Sequence, residues 1–287
     1  MNKTYAAIAA AAALGLTLTA CGSTDQGADD TRDAGAGLSH IHGLGIDPAD
    51  GRLHVATHEG IFTPGKDGAP KRVGDARDDF MGFTVTGPGT FVASGHPGPG
   101  NDEPGNRGLI ESTDSGKTWK VKSLAGKVDF HALKYAHDTI YGYDSTNGML
   151  RVSKDGVEWD DRAKLAAHDI AVSPNDPDTV LATTREGVAR STDGGKSFAG
   201  GKQPVMAFLS WAEADALYGI DPAGALHRST DGGGTWKRTA TVPGGQPQAL
   251  TAVDGDRLLA ATQDGVYESK DGGKTFTQRL KASADDH

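Results

Sequence analysis

Short runs of alternating apolar and polar residues follow one another along the chain from about residue 40 to residue 280. One apolar run ends near Asp-Pro or Gly, a second often ends in Ala-Thr, and a third begins with Gly and leads into a polar turn. A fourth run follows the aromatic residue that closes the turn, as in residues 265–280 (GVYESKDGGKTFTQRL). Alternation with a period of two indicates β-strands, and short strands separated by turn signals indicate an all-β fold.

The polar turn has nearly the same sequence in five places, as in residues 229–236 (STDGGGTW), and is called the phrase turn below. The serines that open the five copies lie 41, 38, 38 and 40 residues apart. Because Asp can bond backbone amides and Gly adopts positive φ, the phrase predicts a hairpin turn with a structural role. The copy that opens at Ser153 is one residue shorter, which predicts an altered turn. The aspartates of the five turns are Asp114, Asp155, Asp193, Asp231 and Asp271.

The number of modules exceeds the number of phrases by one. Residues 40–73 show the same order of apolar and polar runs as residues 247–280. Their turn keeps little of the repeated sequence, but Asp67 stands at the position of the turn aspartate. A period of about 40 residues with four strands per module predicts a six-bladed β-propeller. A solenoid would need polar caps at its ends, and none stands out. The predicted blades are residues 40–74, 78–124, 128–165, 167–202, 204–242 and 246–280.

The segment before the blades has a different character. Residues 1–20 combine a short basic start with an apolar stretch too short to span a bilayer, and small residues precede Cys21. This segment resembles a bacterial lipoprotein signal, which implies cleavage before Cys21 and lipidation of its thiol. We therefore expect an extracytoplasmic protein that is lipid-anchored to the bacterial cell membrane. We predict that residues 1–20 are the signal peptide and that residues 21–39, which begin at the lipidated Cys21, form a disordered linker. Residues 40–280 are predicted to form the propeller, and residues 281–287 a tail.

The net charge and the cysteine content limit which partners and which chemistry the protein can have. The formal net charge of −9 and the lack of a basic cluster argue against binding of nucleic acid. Cys21 is the only cysteine, so the mature chain has no thiol for disulfides or catalysis. We expect a monomer whose partners are the membrane, through the anchor, and a small ligand, metal or glycan at the propeller rim.

In the sequence and spacing of these turns, the chain resembles the Asp-box, or BNR, repeats of sialidase-like and sortilin-like propellers. It is similar to bacterial lipoproteins labelled as a glycosyl hydrolase or exo-α-sialidase family, over nearly all of residues 40–280. The resemblance implies a glycoside hydrolase acting on extracellular glycans. The family's Arg-Ile-Pro motif is missing, however, and its arginine triad is not seen. Asp-boxes specify the fold far more strongly than an activity, and catalytic residues remain unknown.

Alignment of the six first strands gives one column of residues for the central channel. Imidazole binds Zn, Cu, Fe and Ni, whereas thioether selects soft ions such as Cu(I). No Asp or Glu shares the column, so the set predicts a copper site. The alternative is that these side chains fill a narrow channel or line a pocket for an organic ligand. The column consists of His42, Met81, His131, His168, Met206 and Gln248, with His40, His58 and His96 as outer candidates on the same rim.

The second blade carries the one long insertion, residues 95–107, which is rich in Gly and Pro. It is expected to overhang the rim, either as a lid or as a tolerated surface insertion. Three functions remain open from the sequence: a binding protein that takes copper, a glycosyl hydrolase, and a scaffold for protein interactions.

Overall fold

The computed structural model describes residues 38–100 and 103–282. Its strands form six four-stranded antiparallel sheets, each made of four consecutive strands, and no helix occurs among the described residues. The all-β, six-bladed propeller is thereby confirmed. The predicted signal peptide, Cys21 and most of the linker lie outside the described residues. No described segment is a helix long and apolar enough to cross a bilayer.

The first three blades contain β1 to β12. Blade 1 consists of β1 (Ile41–Ile46), β2 (Leu53–Thr57), β3 (Gly60–Pro64) and β4 (Pro70–Arg72). Blade 2 consists of β5 (Asp79–Gly87), β6 (Thr90–His96), β7 (Leu109–Ser112) and β8 (Lys120–Ser123). Blade 3 consists of β9 (Phe130–Ala136), β10 (Thr139–Asp144), β11 (Met149–Ser153) and β12 (Asp160–Lys164).

The last three blades contain β13 to β24. Blade 4 consists of β13 (Ile170–Val172), β14 (Val180–Thr184), β15 (Gly187–Ser191) and β16 (Ala199–Lys202). Blade 5 consists of β17 (Phe208–Glu213), β18 (Ala216–Ile220), β19 (Ala225–Ser229) and β20 (Lys237–Thr241). Blade 6 consists of β21 (Pro247–Ala252), β22 (Leu258–Thr262), β23 (Gly265–Ser269) and β24 (Thr277–Lys281).

The ring closes through the first strand of each blade. First strands of consecutive blades contact one another, and β1 also contacts β21 of the last blade. At this closure the Thr251 hydroxyl donates a hydrogen bond to the Leu44 carbonyl at 2.9 Å. The Ile41 amide donates to Oε1 of Gln248 at 3.0 Å. Closure leaves the first strands around the axis, where residues at matching positions become neighbours.

The hydrophobic core is divided among the gaps between blades. Each of the apolar clusters of the described chain is formed by two neighbouring blades, including blades 6 and 1. Phe62, Phe80, Phe91 and Phe130 are among the largest fully buried side chains. A single blade therefore cannot bury its faces alone, and the stability of each blade depends on both neighbours.

The phrase turns form the same hydrogen-bonded loop between the third and fourth strands. In blade 5, the Gly233 amide donates to the Ser229 hydroxyl at 2.7 Å, and that hydroxyl donates to Asp231 at 2.8 Å. Asp231 also accepts from the amide and the hydroxyl of Thr235. Equivalent loops form at Asp114, Asp193 and Asp271. The aspartates act as turn formers, as the sequence predicts.

The short copy in blade 3 keeps only part of this loop. The Gly156 amide still donates to Ser153 at 2.8 Å, and Asp155 accepts from the amides of Val157 and Glu158. A hydroxyl partner equivalent to Thr235 is missing because Glu158 occupies the position before the closing Trp159. The altered turn predicted for this copy is therefore present.

Candidate functional site

The central channel opens on one face of the propeller into a small pocket of about 160 Å³. The start of the first strand and the turn between the second and third strands lie on this face. The phrase turns lie on the opposite face, because strands alternate in direction within each blade. Five of the six residues of the predicted column line the pocket: His42, Met81, His131, His168 and Gln248.

Four of these five residues stand at irregularities in strand pairing. His42, Met81, His131 and Gln248 each fall where the register between the first and second strands of the blade shifts by one residue. A β-bulge leaves one residue unpaired and redirects its side chain. The repeated bulge explains why one position in each of these blades faces the pocket.

Glycine follows the bulge where the first strands approach most closely. A Cβ atom on Gly43 would lie 2.8 Å from Cβ of Phe83, and one on Gly82 would lie 2.3 Å from the Phe130 carbonyl oxygen. No side chain fits at these distances, so the His-Gly and Met-Gly pairs of the sequence are a packing requirement.

Blade 5 departs from the predicted column. Leu209 pairs with Gly219 as Leu44 pairs with Val55, so the residue two positions earlier, Ala207, matches His42. Met206 instead matches the buried Ile41. It is 2% exposed and packs in the core between blades 4 and 5, away from the pocket. The assignment of Met206 to the ring was therefore wrong by one residue.

Phe208, which sequence analysis did not select, lines the pocket on the blade 5 side. Its ring meets His168 edge to face, with centroids 5.0 Å apart. It occupies the place that Gly43 takes in blade 1, where the neighbouring strand leaves no room for a side chain. This half of the pocket is thus filled by an aromatic contact.

The outer candidates of blade 1 converge on His42. The ring of His58 stacks on His42 with centroids 4.5 Å apart, and it lies 4.9 Å from the ring of His40. Nδ1 of His58 lies 3.8 Å from the carboxylate of Asp79, at the start of blade 2. One donor atom each from His42, His58 and Asp79 lie within 4.8 Å of one another.

Two buried atoms of this group have no hydrogen-bond partner among the described residues: Nε2 of His42 and Oδ1 of Asp79. Burial, and after it the charge of neighbouring imidazoles, lowers the pKa of His42 to about 3. His42 is therefore neutral at physiological pH, with a free lone pair. Burial also raises the pKa of the Asp79 carboxyl. Unpartnered buried polar groups are costly, and a bound cation is one way to satisfy them.

Blades 2 and 3 bring a second group of the same residue types to the rim. Nε2 of His131 donates to Asp129 at 2.7 Å, and Nε2 of His96 lies 3.7 Å from the same oxygen. Nδ1 of His96 donates to the Gly105 carbonyl at 2.8 Å, within the long insertion. The hydrogen bond to Asp129 raises the pKa of His131. Burial alone would raise the pKa of Asp129, but the bond from His131 and nearby charges lower it.

Sequence analysis missed the acidic members of this rim. Asp79 and Asp129 each stand two residues before a column residue, and His40 occupies the same position in blade 1. The alignment that gave the column also contains this second column. The channel column alone contains no Asp or Glu, so these acids are not found by comparing that position.

Lys134 and Asp169, two further charged residues of the pocket, pair with each other. Nζ of Lys134 lies 3.1 Å from Asp169, which also accepts from the Leu209 amide at 2.9 Å. His168 lines the pocket on this side, where blades 4 to 6 contribute no carboxylate beyond Asp169. The metal-ligating chemistry of the described rim is therefore concentrated in blades 1 to 3.

No protein-family model and no curated protein matches the sequence. Solved structures match in fold. A GH74 xyloglucanase from Xanthomonas campestris is 17% identical, with a TM-score of 0.55 over 84% of this chain and 38% of that one. The GH74 enzyme of Niastella koreensis is 15% identical, with a TM-score of 0.60 over 84% and 45%. XC5397 of X. campestris, described as a gluconolactonase, is 13% identical, with a TM-score of 0.64 over 82% and 86%.

This chain spans less than half the length of the GH74 structures. At these identities the likeness extends to the propeller fold alone. The distant similarity to GH74 and gluconolactonase propellers leaves the specific function to be argued from the rim residues of this chain.

Proposed function

We propose that this protein is a metal-binding propeller that holds a copper ion on its rim through His42, His58 and Asp79. The observation that supports the proposal is the convergence of three donor atoms within 4.8 Å, two of which belong to side chains with unpartnered buried atoms. Metal–nitrogen and metal–oxygen bonds of about 2.0–2.2 Å require only small side-chain rotations from this arrangement.

The donor types favour divalent copper. Two imidazoles and one carboxylate suit borderline ions, and Cu²⁺ binds most tightly among the divalent first-row metals in such sites. Met206 packs in the core, so the pocket keeps one thioether, Met81. With one thioether in the pocket in place of two, the donor set suits Cu²⁺ better than Cu⁺.

The protonation state of the ligands favours binding at neutral pH. A metal ion requires neutral imidazole and ionised carboxylate. His42 meets this condition because its pKa of about 3 leaves it unprotonated. A bound cation would stabilise the ionised form of Asp79, whose pKa is raised by burial.

We also propose an extracytoplasmic location, with the propeller anchored through a lipid on Cys21. The support is the sequence of residues 1–21. A lipid-anchored propeller with a copper-binding rim would meet copper ions outside the cytoplasm.

Calorimetric titration of metal-free protein with copper tests the proposal. His58→Ala is the variant of choice because His58 is an exposed turn residue, and its removal leaves the strands intact. We expect affinity for copper to fall at least about 100-fold, the upper end of what loss of an outer hydrogen-bond partner of a ligand costs. His227→Ala is the matched control, since His227 pairs with Asp221 at 3.3 Å elsewhere in blade 5. Equal affinity in both variants would rule out the site.

A second candidate function, glycoside hydrolysis, is favoured by one observation. Asp79 and Asp129 lie on the same rim, and their surroundings shift their pKa values in opposite directions, up for Asp79 and down for Asp129. Such a difference is what an acid and a base or nucleophile require. In this function Asp79 is the acid, and the GH74 similarity points to a polysaccharide. Turnover of fluorogenic glycosides, abolished by Asp79→Asn and insensitive to a chelator, would support it over metal binding.

A further inference from the structure

We infer that the same rim holds a second metal ion, bound by His96, Asp129 and His131. This inference rests on the proposed function, since it assigns a second ion to the same metal-binding face. These three residues are different from the first donor group, and only His131 belongs to the predicted channel column.

The repeat geometry supplies the first argument. In blade 1 the turn histidine His58 faces Asp79, which stands two residues before the bulge of blade 2. In blade 2, His96 at the end of β6 faces Asp129, which stands two residues before the bulge of blade 3. Consecutive blades of a propeller are related by one rotation. The two histidine–aspartate pairs therefore stand at equivalent positions of consecutive blades, although His58 faces its aspartate with Nδ1 and His96 with Nε2.

The third donor differs between the two sets. In the first set it is His42, the bulge residue of blade 1. The equivalent residue of blade 2 is Met81, a poor ligand for divalent ions. The second set instead has His131, the bulge residue of blade 3, whose Nε2 already contacts Asp129 at 2.7 Å. Both sets thus contain two imidazoles and one carboxylate.

The orientation of His96 supplies the second argument. A carbonyl oxygen can only accept, so the hydrogen bond from Nδ1 to Gly105 at 2.8 Å fixes the proton of neutral His96 on Nδ1. The lone pair of Nε2 is then free and faces Asp129. Metal-binding histidines almost always donate their other ring N–H to a carboxylate or a carbonyl in this way.

Asp129 itself has the properties of a ligand. It is 5% exposed, and its Oδ1 is buried with no hydrogen-bond partner among the described residues. Its Oδ2 receives His131 at 2.7 Å and the Ser145 hydroxyl at 3.4 Å. Oδ1 therefore remains for a metal ion, and His131 would bind that ion by giving up the Nε2 proton that it donates to Oδ2, since metal ions displace protons from their ligands.

The long insertion of blade 2 acquires a role in this arrangement. Arg107 is 6% exposed and pairs with Asp78 and with Glu103, at 2.8 Å from the latter. The Arg107 amide donates to the Gly95 carbonyl at 2.9 Å, next to His96. These bonds hold residues 103–107 beside the end of β6, where the Gly105 carbonyl fixes the imidazole of His96.

The test is metal stoichiometry of the full propeller, loaded with copper, dialysed and measured by elemental analysis. The variants are His58→Ala, which removes a ligand of the first site, and His96→Ala, which removes one of the second, with His227→Ala as control. Asp129→Asn provides a second disruption of the second site, and circular dichroism checks the fold of each variant.

We expect two ions per chain in the unaltered protein and in His227→Ala, and one ion in His58→Ala and in His96→Ala. The variant that combines His58→Ala with His96→Ala should bind none. A single ion that is lost in His58→Ala and kept in His96→Ala would overturn the second site and leave the proposed function standing. Two ions in both His96→Ala and Asp129→Asn would overturn the second site as well. No bound copper in the unaltered protein would overturn the proposed function together with this inference.

Discussion

The imidazole of His42 stacks on that of His58 at a centroid distance of 4.5 Å. His42 lies in β1, whereas His58 lies in the turn between β2 and β3 of the same blade. One nitrogen of each ring lies within 4.8 Å of a carboxylate oxygen of Asp79 in the next blade. In the absence of a cation this arrangement leaves the buried Nε2 of His42 unpartnered among the described residues. A bound metal ion would satisfy it and link blades 1 and 2.

Because the ion bridges two blades, copper should stabilise the folded chain. At a copper concentration 100 times the dissociation constant, the free energy of unfolding should rise by about 2.7 kcal/mol. Asp79→Asn removes the charged ligand and should abolish the part of the gain that this ion contributes, while His227→Ala should keep it. Chemical denaturation with and without copper measures the difference. An equal gain in Asp79→Asn would place the stabilising ion elsewhere.

Met206→Ala distinguishes core packing from a role in the ring. Met206 is 2% exposed among apolar side chains of blades 4 and 5, so its truncation leaves a cavity. We expect a loss of about 2–5 kcal/mol in the free energy of unfolding. Copper affinity should not change, as measured by calorimetric titration. A fall in affinity with little loss of stability would return Met206 to the metal site.

The phrase turns should contribute stability through their buried serines. Ser229 is 1% exposed, accepts from the Gly233 amide and donates to Asp231. Ser229→Ala leaves that amide without its acceptor, so we expect a loss of about 1–3 kcal/mol. The neighbouring Thr230 is exposed, and Thr230→Ala serves as the control. Equal unfolding midpoints for the two variants would show that the serine bonds add nothing.

Tyr267 should titrate late and limit stability at alkaline pH. Burial, and after it the hydrogen bond to Asp264, raises its pKa to about 12. The pKa of an unfolded tyrosine is about 10, so folding favours the protonated phenol. Its contribution to stability is full below about pH 10 and is lost as pH rises toward about 12.

Ultraviolet titration of tyrosinate, with Tyr267→Phe subtracted, isolates this phenol from the other tyrosines. The difference curve should have its midpoint near pH 12, the value for Tyr267 in the fold. The variant should also lose less stability than the unaltered protein between pH 10 and 12. A difference curve centred near pH 10 would mean that Tyr267 is solvated.

Most of the fold could be predicted from the sequence because the turn phrase and its spacing fix where each third strand ends. The residues of the channel could be predicted where a small residue follows the bulge, as in His42-Gly43 and Met81-Gly82. In blade 5 the bulky Phe208 follows, and the alignment slipped so that Met206 replaced Ala207. A slip of one residue exchanges core and pocket positions, because the side-chain period of a strand is two.

The acidic half of the candidate site was harder to predict. Asp79 and Asp129 face histidines of the preceding blade, and Asp129 also accepts from His131 of the strand that follows it. The contacts between blades depend on the rotation of one blade relative to the next. The hydrogen bond from His96 to Gly105 depends on how the insertion returns to the rim. Sequence spacing carries no information about that path.

The central claim is a metal ion between His42, His58 and Asp79. A crystal soaked in copper, with an anomalous difference map recorded at the copper absorption edge, tests it most directly. We expect a peak about 2.0–2.2 Å from one nitrogen of each histidine and from the Asp79 carboxylate. A map with no peak at these three side chains, in crystals that bind copper elsewhere or not at all, would contradict the account.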